Sequence, residues 1–593
     1  MNQQEPLSGR QKITIAVLSA LVALTRFVAL SKGPWDWDEV LFCLAINDYD
    51  VALHRPHPPG FPLHIFLGRI ARLVTRSDFG ALQTVNVLAA MAVFPVLFWL
   101  AWTLRFRFAG SLWVATAFAF LPNVWFYGGT AFSDVPAMLL FLAAAAAYLS
   151  SEGNGRRYAL ASGLAAAGIL YRPHDTMIVL LPWALASWRF VRLRNWRALA
   201  TGTVIAFLIV SIGYGSAIAV TGVERYINVT KAHAANVGAT DSIGSAGRPA
   251  LRQALGMLLD PCEAGKVTLL INVLALLGIA LGRREAVAKI LLMFAPFFLF
   301  TLVATNPLGA SRMSLGYMAG VILLAAEGAM APGRFLPRLR IPVAVLLLVI
   351  IVGRLVTWVL PAFEFPRRTN PPQVEAALWL RAHTTPQTPI VFDHSVYPWM
   401  NYYLSDRRII PYREAMASPA GRNLGAAWFV SNGNSDSEDA VAFRRPRNRT
   451  WNIVTQRGFE TFVVPLSAVA EFGSGWWGDE IDGAKHWRWA ARRSSMTLAP
   501  MRGPGEITLS FAVPEEFLKA PLEMRFSFNG RLVQQIAITK AENVIRLPVE
   551  PNANASNVLE IESSRAFVPS QLGPSSDSRE LSWMLLGWRY RRS

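Results

Sequence analysis

The sequence predicts an α-helical polytopic membrane protein with an α/β unit and a β-sandwich appended at its C-terminal end. Three observations predict it. Hydrophobic residues make up 53% of the 593 residues and charged residues only 16%, against about 25% charged in a typical soluble domain. The apolar residues gather into runs of membrane-crossing length, roughly 17–25 residues. Basic residues cluster in the short segments between runs, as they do in loops that face an anionic cytoplasmic leaflet.

Apolar runs lie near 12–31, 81–104, 110–128, 134–151, 158–171, 175–191, 198–221, 264–282, 287–306, 313–330 and 341–362, giving about eleven spans. The first follows a polar segment, Met1 to Lys12, and has no small-residue cleavage site after it. It therefore reads as a transmembrane helix with its N-terminus in the cytoplasm, not as a signal peptide. In that orientation the cytoplasmic loops hold Arg105 and Arg107, Arg156 and Arg157, Arg189 to Arg197, Arg283 to Lys289, and Arg334 to Arg340. Every one is basic, as the positive-inside rule requires. Arg69, Arg72 and Arg76 fall in the first outer loop instead, where an amphipathic interfacial helix would accommodate them. The net charge of +18 is thus spent on loops rather than on one folded face, which argues against a nucleic-acid binder.

An odd number of spans puts the C-terminal region outside, on the periplasmic or extracellular side of an inner (plasma) membrane. We divide the chain into a transmembrane domain, 1–363, an α/β unit, 364–472, and a β-sandwich, 473–593. In the α/β unit a helical stretch, Val374 to His383, precedes the strand-like Pro389 to Asp393, and a second apolar segment follows at Phe462 to Pro465. Beyond 473, the segments Glu506 to Phe511, Leu522 to Phe528 and Val558 to Glu562 largely alternate apolar and polar residues. Turn residues such as Asn529-Gly530 separate them, the pattern of short sandwich strands. Trp476, Trp477, Trp487 and Trp489 are either core residues of that sandwich or platforms for sugar stacking. Cys43 and Cys262 both fall on the outer side, open to a disulfide there or to burial as free thiols. The triplets at Asn228, Asn448 and Asn554 match glycosylation sequons but arise easily by chance.

The first outer loop concentrates the polar chemistry. Asp36, Asp38 and Glu39 stand within four residues, interleaved with Trp35 and Trp37, and are followed by Arg55 and by His57-Pro58-Pro59-Gly60-Phe61-Pro62-Leu63. Carboxylates at a membrane boundary are costly unless solvated, paired or metal-bound. A solvated loop with interface-anchored tryptophans is one reading; a pocket of carboxylates is the other.

The arrangement resembles the GT-C superfamily of membrane glycosyltransferases, in particular the family 39 protein mannosyltransferases and the aminoarabinose transferases. In such proteins an acidic pair after the first helix precedes a basic or polar residue and a Pro-Pro pair by some twenty residues. Asp38-Glu39 and His57-Pro58-Pro59 match that order and spacing, and the whole His-Pro-Pro-Gly run is similar to a mannosyltransferase-like subgroup. The segment Leu121 to Pro136 resembles the superfamily's second outer loop, with Asp134 opening the fourth helix. Arg312-Met313-Ser314-Leu315 is similar to its arginine-led segment, and Val374 to Tyr412 to its soluble unit. The resemblance covers about 1–410.

It implies transfer of a sugar from a polyprenyl-phosphate carrier to a lipid, glycan or protein acceptor, with inversion and with a loop carboxylate as base. Asp38 is the first candidate for that base, with Asp36, Glu39 and Asp134 beside it. Arg312 and Arg172 are candidates for the donor phosphate, since the arginine fork pairs bidentately with phosphate; each could equally be an arginine snorkelling to the interface. His57, Arg55 and His174 are further substrate-binding candidates. Asp38 and Asp134 could together hold a divalent metal, Mg or Mn, through oxygen ligands, and the sequence does not decide whether they do. The polar stretch Glu224 to Arg252 reads as a mobile loop over the site. Two other readings fit the hydropathy: a transporter or lipid flippase, which should show paired broken helices in two halves, and an envelope-assembly protein that keeps the fold without activity.

Overall fold

A computed structural model describes residues 6–592, except 246–247, 335, 418–423, 425–426, 446–459, 467–468, 483–484, 502, 554 and 573–574. The chain divides into two compact units at Pro371/Pro372. The sequons at Asn448 and Asn554 lie outside the described residues, and Asn228 lies within a helix.

Every apolar run read from the sequence is helical in the first unit. The elements are α1 (Gly9–Thr25), α2 (Trp37–Asn47), α3 (Pro62–Thr75), α4 (Asp78–Thr103), α5 (Phe108–Ala119), α6 (Pro122–Tyr127), α7 (Asp134–Leu149) and α8 (Gly155–Ile169). After a 3₁₀ turn, Pro173–Val179, come α9 (Leu180–Arg192), α10 (Trp196–Thr221), α11 (Val223–Thr240), α12 (Leu251–Leu259) and α13 (Lys266–Leu281). The unit ends with α14 (Arg284–Ala304), α15 (Ala310–Met313), α16 (Leu315–Met330) and α17 (Arg340–Arg368). Among the described residues, six helical runs are long and apolar enough to cross a membrane, and α5, α7 and α13 are shorter apolar helices. The chain is a multi-pass membrane protein.

Lipid offers no hydrophobic drive for helices to associate, so close packing must supply it. Small residues provide the approach. Helices α13 and α16 meet where Gly278 faces the carbonyl of Leu324 and Gly328 faces that of Leu274, so closely that a Cβ on either would overlap backbone. Gly129 meets the carbonyl of Ala29 in the same manner.

The segment after α1 is itself structured as two helices. Asp36 caps α2, its side chain accepting from the Asp38 N–H while Glu39 reaches back to the Asp36 N–H, a complete capping box. Helix α3 carries Arg69, Arg72 and Arg76 and exposes Phe66, Ile70, Leu73 and Val74, so it is the amphipathic helix the three arginines called for. Arg69 donates to the carbonyls of Ile46 and Ala45 at 2.9 and 3.1 Å, closing the end of α2.

The stretch Glu224 to Arg252 corrects an expectation. It is not a loop at its start but the helix α11, which leaves α10 through Gly222 at φ 91°. Hydropathy could not show it, because none of its residues is buried. Its alanines favour helix, Glu224 suits the first turn, and two contacts hold it to the first outer loop. Arg225 pairs with Asp50 at 2.7 Å, and Tyr226 donates to the Pro59 carbonyl at 2.9 Å. Cys43 and Cys262 are free, buried thiols.

The second unit begins with α18 (Pro372–His383), α19 (Tyr397–Tyr403) and α20 (Tyr412–Ala417) around the strands β1 (Ile390–Phe392), β2 (Ile409–Pro411), β3 (Trp428–Asn432), β4 (Val441–Arg444) and β5 (Glu460–Pro465). Their order is β2-β1-β3-β5-β4, parallel across β2, β1 and β3 and antiparallel thereafter. Next come β6 (Ala470–Phe472), β7 (Trp476–Asp482), β8 (Lys485–Ala490), β9 (Arg493–Leu498) and β10 (Gly505–Ala512). The last are β11 (Leu522–Phe528), β12 (Arg531–Ile538), β13 (Glu542–Val549), β14 (Asn557–Ser563) and β15 (Trp583–Arg592). They form two antiparallel sheets, β13-β10-β15-β8-β7 and β12-β11-β14-β9-β6. Ile507, Leu509 and Phe511 of one sheet and Met524, Phe526, Leu559 and Ile561 of the other share one buried core, the alternation expected of a sandwich. Trp476 stacks edge-on against Trp583 and Phe472 at 5.2 and 4.9 Å, within that packing.

Candidate active site

Four charged side chains from four distant segments converge in the first unit. Asp38 sits in the first turn of α2 and Asp134 opens α7, so each carboxylate lies where a helix N-terminus favours negative charge. Arg312, on the single turn α15, donates Nη1 to Asp38 Oδ2 at 2.6 Å and Nε to both oxygens of Asp134 at 3.1 Å. Arg172, just before the 3₁₀ turn, places Nη1 2.8 Å from Asp134 Oδ1. The sequence Asp38–Arg312–Asp134–Arg172 is therefore a continuous chain of alternating charge. All four side chains are at least three-quarters buried, with Asp134 4% exposed and Asp38 the most open at 22%.

The surroundings fix this chain in place. Arg312 lies 4.3 Å over the Phe132 ring. Behind it Asn123 donates to the Ser311 carbonyl and the Ser314 hydroxyl at 3.0 and 2.8 Å, and the Tyr127 hydroxyl meets Ser311 Oγ at 3.0 Å. His174 Nε2 is 3.1 Å from Arg172 Nη2 and 3.2 Å from Asp175 Oδ1. His57 Nδ1 is buried 3.6 Å from Asp38 Oδ1, with its ring against Phe61 and Phe42 at 4.8 and 5.9 Å.

The three acids of the first loop separate by environment. Burial alone would raise the Asp38 carboxyl, but the positive charge facing it, Arg312 and Arg172 among the permanently charged groups, holds it below the ordinary carboxylate range. Burial pushes Glu39 up to about 8, against the pull of three backbone N–H groups. Those groups belong to Trp35 and Asp36, on Oε2 at 2.8 and 3.0 Å, and to Ala131, on Oε1 at 2.8 Å. The same Ala131 offers its carbonyl to His64 Nε2 at 3.1 Å; burial holds that imidazole at about 4, so it donates as a neutral ring. Glu39 and His64 thus clamp the backbone of one residue, Ala131, on both its N–H and its carbonyl, three residues before Asp134. Asp36 is the α2 cap. Arg55 pairs with Asp48 at 2.5 Å, away from the central charges.

Sequence reasoning placed Asp38, Asp134, Arg172, Arg312, His57 and His174 among the candidates, and the structure brings these six together. It missed the clamp. The Asp36-x-x-Glu39 spacing was a visible capping-box signal for it; His64 and Ala131 carried none.

Asp38 and Asp134 face two guanidinium groups within 3.1 Å, so a divalent metal held by these carboxylates would have to displace the arginines from them. Elsewhere among the described residues, Asp436, Asp479 and His486 of the second unit bring donor atoms within 4.8 Å of one another, an arrangement that could hold a metal ion. Arg488 pairs with both aspartates there.

No protein-family model matches the chain, and no curated protein does. Solved structures do. ArnT from Cupriavidus metallidurans, solved bound to undecaprenyl phosphate, aligns with a TM-score of 0.51 at 12% identity, over 77% of this chain and 98% of that one. This chain has the GT-C fold. The archaeal oligosaccharyltransferase AglB from Archaeoglobus fulgidus, in complex with an inhibitory peptide and a dolichol-phosphate, aligns at 0.48 and 10% identity over 94% of this chain and 96% of that one. The arabinofuranosyltransferase AftD from Mycobacteria aligns at 0.45 and 11% identity, over 99% of this chain and 59% of that one.

Proposed function

We propose that the chain is an inverting glycosyltransferase of the inner membrane that takes a sugar from a polyprenyl-phosphate donor and gives it to a hydroxyl of a lipid, glycan or protein. The supporting observation is the alternating Asp38–Arg312–Asp134–Arg172 chain. Among the described residues the charged partners of these two arginines are carboxylates, a site that an incoming phosphate can enter by exchange, one anion for another. Phosphate accepts bidentate guanidinium bonds as well as carboxylate does.

The exchange also arms the base. When the donor phosphate takes Arg312, the cation that holds Asp38 below the ordinary carboxylate range turns to another anion, and the basicity of Asp38 rises. Asp38 then accepts the acceptor hydroxyl proton while that oxygen bonds to the anomeric carbon. The anomeric carbon–phosphate oxygen bond breaks, and its electron pair leaves on the polyprenyl phosphate. Asp134 keeps Arg172 and Arg312 in register; Glu39 and Asp36 build the loop. We assign these steps to the transmembrane domain, 1–363, with its N-terminus cytoplasmic, and place the α/β unit, 364–472, and the sandwich, 473–593, in the periplasm or its equivalent, available to the acceptor.

The test is release or transfer of labelled sugar by the purified full chain from polyprenyl-phosphate donors of mannose, glucose, galactose and aminoarabinose, with Asp38→Asn beside it. Turnover that is lost in the variant supports the reading. No turnover of any donor by a folded wild type refutes it.

A further inference from the structure

The proposed reaction leaves a proton on Asp38, and the structure shows one direction in which it can go. Arg312 covers Asp38 Oδ2. The other oxygen, Oδ1, faces His57 Nδ1 at 3.6 Å. Beyond His57 the imidazoles continue. The ring of His57 lies 5.8 Å from that of His233, and the His233 ring lies 6.1 Å from that of His54. His233 belongs to α11, the helix with no buried residue, so the row of rings starts at the buried carboxylate and ends at an open surface.

We propose that His57 and His233 relay the acceptor proton from Asp38 to solvent, and that α11 is held over the first outer loop to complete this path. The inference rests on the glycosyltransferase reading above and deepens it. In each turnover the protonated Asp38 gives its proton to His57 Nδ1, His57 releases the proton of its other nitrogen toward His233, and His233 passes one to water. The carboxylate and two neutral rings result, each imidazole in its other tautomer, and a ring flip returns the accepting nitrogen before the next turnover; no oxidant or reductant enters. Centroid separations near 6 Å are spanned by one bridging water.

The charges around the rings favour the same direction. Asp38, Arg312, His233 and His54 face His57; burial, Arg312 and the two histidines hold it at about 4 against the pull of Asp38. It rests neutral and gives up a proton readily. Asp38 and Asp241 face His233, which burial also holds below its ordinary value. Arg312 favours the ionised form of Asp38, so the carboxylic acid formed in turnover is driven to shed its proton. Two contacts seat α11: Arg225 on Asp50 and Tyr226 on the Pro59 carbonyl. Both partners flank His57 in the same loop.

The experiment compares wild type, His233→Ala, His57→Asn and Asp38→Asn as full chains, using the four labelled polyprenyl-phosphate sugars, across the pH range about 5.5 to 8.5 and with added imidazole. A relay predicts kcat lowered about 10-fold in His233→Ala and about 100-fold in His57→Asn, within the range of proton-transfer effects. KM should be unchanged, the loss greatest at low pH where few deprotonated carriers are present to take the released proton, and imidazole should restore His233→Ala. Wild-type kcat in both histidine variants, a change confined to KM, or a pH-independent loss that imidazole does not rescue would each overturn the relay while leaving the enzyme reading intact if Asp38→Asn is dead. No turnover by the wild type overturns both.

Discussion

Asp38 and Glu39 are adjacent in sequence and both acidic, yet the proposed reaction gives them different duties, and replacing each by its amide separates these. Glu39 is fully buried, and its two oxygens accept three backbone N–H groups, two on Oε2 and one on Oε1. In Glu39→Gln the amide must turn its NH₂ toward one side. The cheaper choice faces Ala131 and orphans a single buried donor, costing about 1–3 kcal/mol; the other choice orphans two. Weaker neutral bonds to Trp35 and Asp36 add less, so the variant should lose about 2–4 kcal/mol. Asp38→Asn keeps a carbonyl oxygen for Arg312 and leaves Arg312 its Asp134 contacts, so its stability loss should stay near 1 kcal/mol. Its turnover should fall by roughly 10²–10⁴ as the base is removed, while Glu39→Gln should stay within about tenfold of wild type at temperatures where it is folded. Thermal unfolding in detergent and donor turnover, measured on the same preparations, read both quantities. A Glu39→Gln protein that is fully stable but inactive, or an Asp38→Asn protein that is unstable but active per folded molecule, would refute the division of labour.

Three further outcomes follow from particular contacts. Gly278→Val puts a branched side chain against the Leu324 carbonyl, and it should destabilise the helical unit by about 3 kcal/mol or more, read as lost folded yield on size exclusion; normal yield would contradict the packing. Removing the α11 seat with Arg225→Ala and Tyr226→Phe should cost about 1 kcal/mol each and speed hydrogen exchange across 223–240, with exchange elsewhere unchanged. In the second unit Asp479 and Asp436, each with a carboxylate oxygen 3.6 Å from Nε2, raise the His486 imidazole above its ordinary value against the effect of burial. A raised pKa means that stabilisation is complete below the unfolded value near 6.5 and is lost as pH rises through the folded value. His486→Gln should therefore flatten the decline in unfolding temperature from pH 6 to 8.5, and an unchanged slope would count against the ion pair.

The helical part of this fold was legible because lipid-facing segments must be long and apolar, a signal carried by composition rather than by pairing. The strands of the sandwich were legible in the same sense, through alternation. Helix α11 was not, since a polar helix held by Arg225 and Tyr226 shows no hydrophobic period. The convergence of Asp38, Asp134, Arg172 and Arg312 spans 274 residues between Asp38 and Arg312, and nothing in local sequence links them; likeness to a family supplied it. Residue type alone set Glu39 beside Asp38 among the candidates and could not show that both Glu39 oxygens are taken by backbone N–H groups. Arg55 looked like a substrate contact and is tied to Asp48.

The contact between Gly278 and Gly328 has a mechanical meaning. Where two helices touch backbone to backbone, no side chain is present to change rotamer, so neither helix can slide or roll without opening a gap along its whole length. Helices α13 and α16 should therefore travel as a single rod, and α15, which carries Arg312, is joined to the end of that rod through Ser314. In the proposed reaction a donor lipid entering between helices would leave this pair closed, and Arg312, carried at the end of the pair, would stay in place while other elements move.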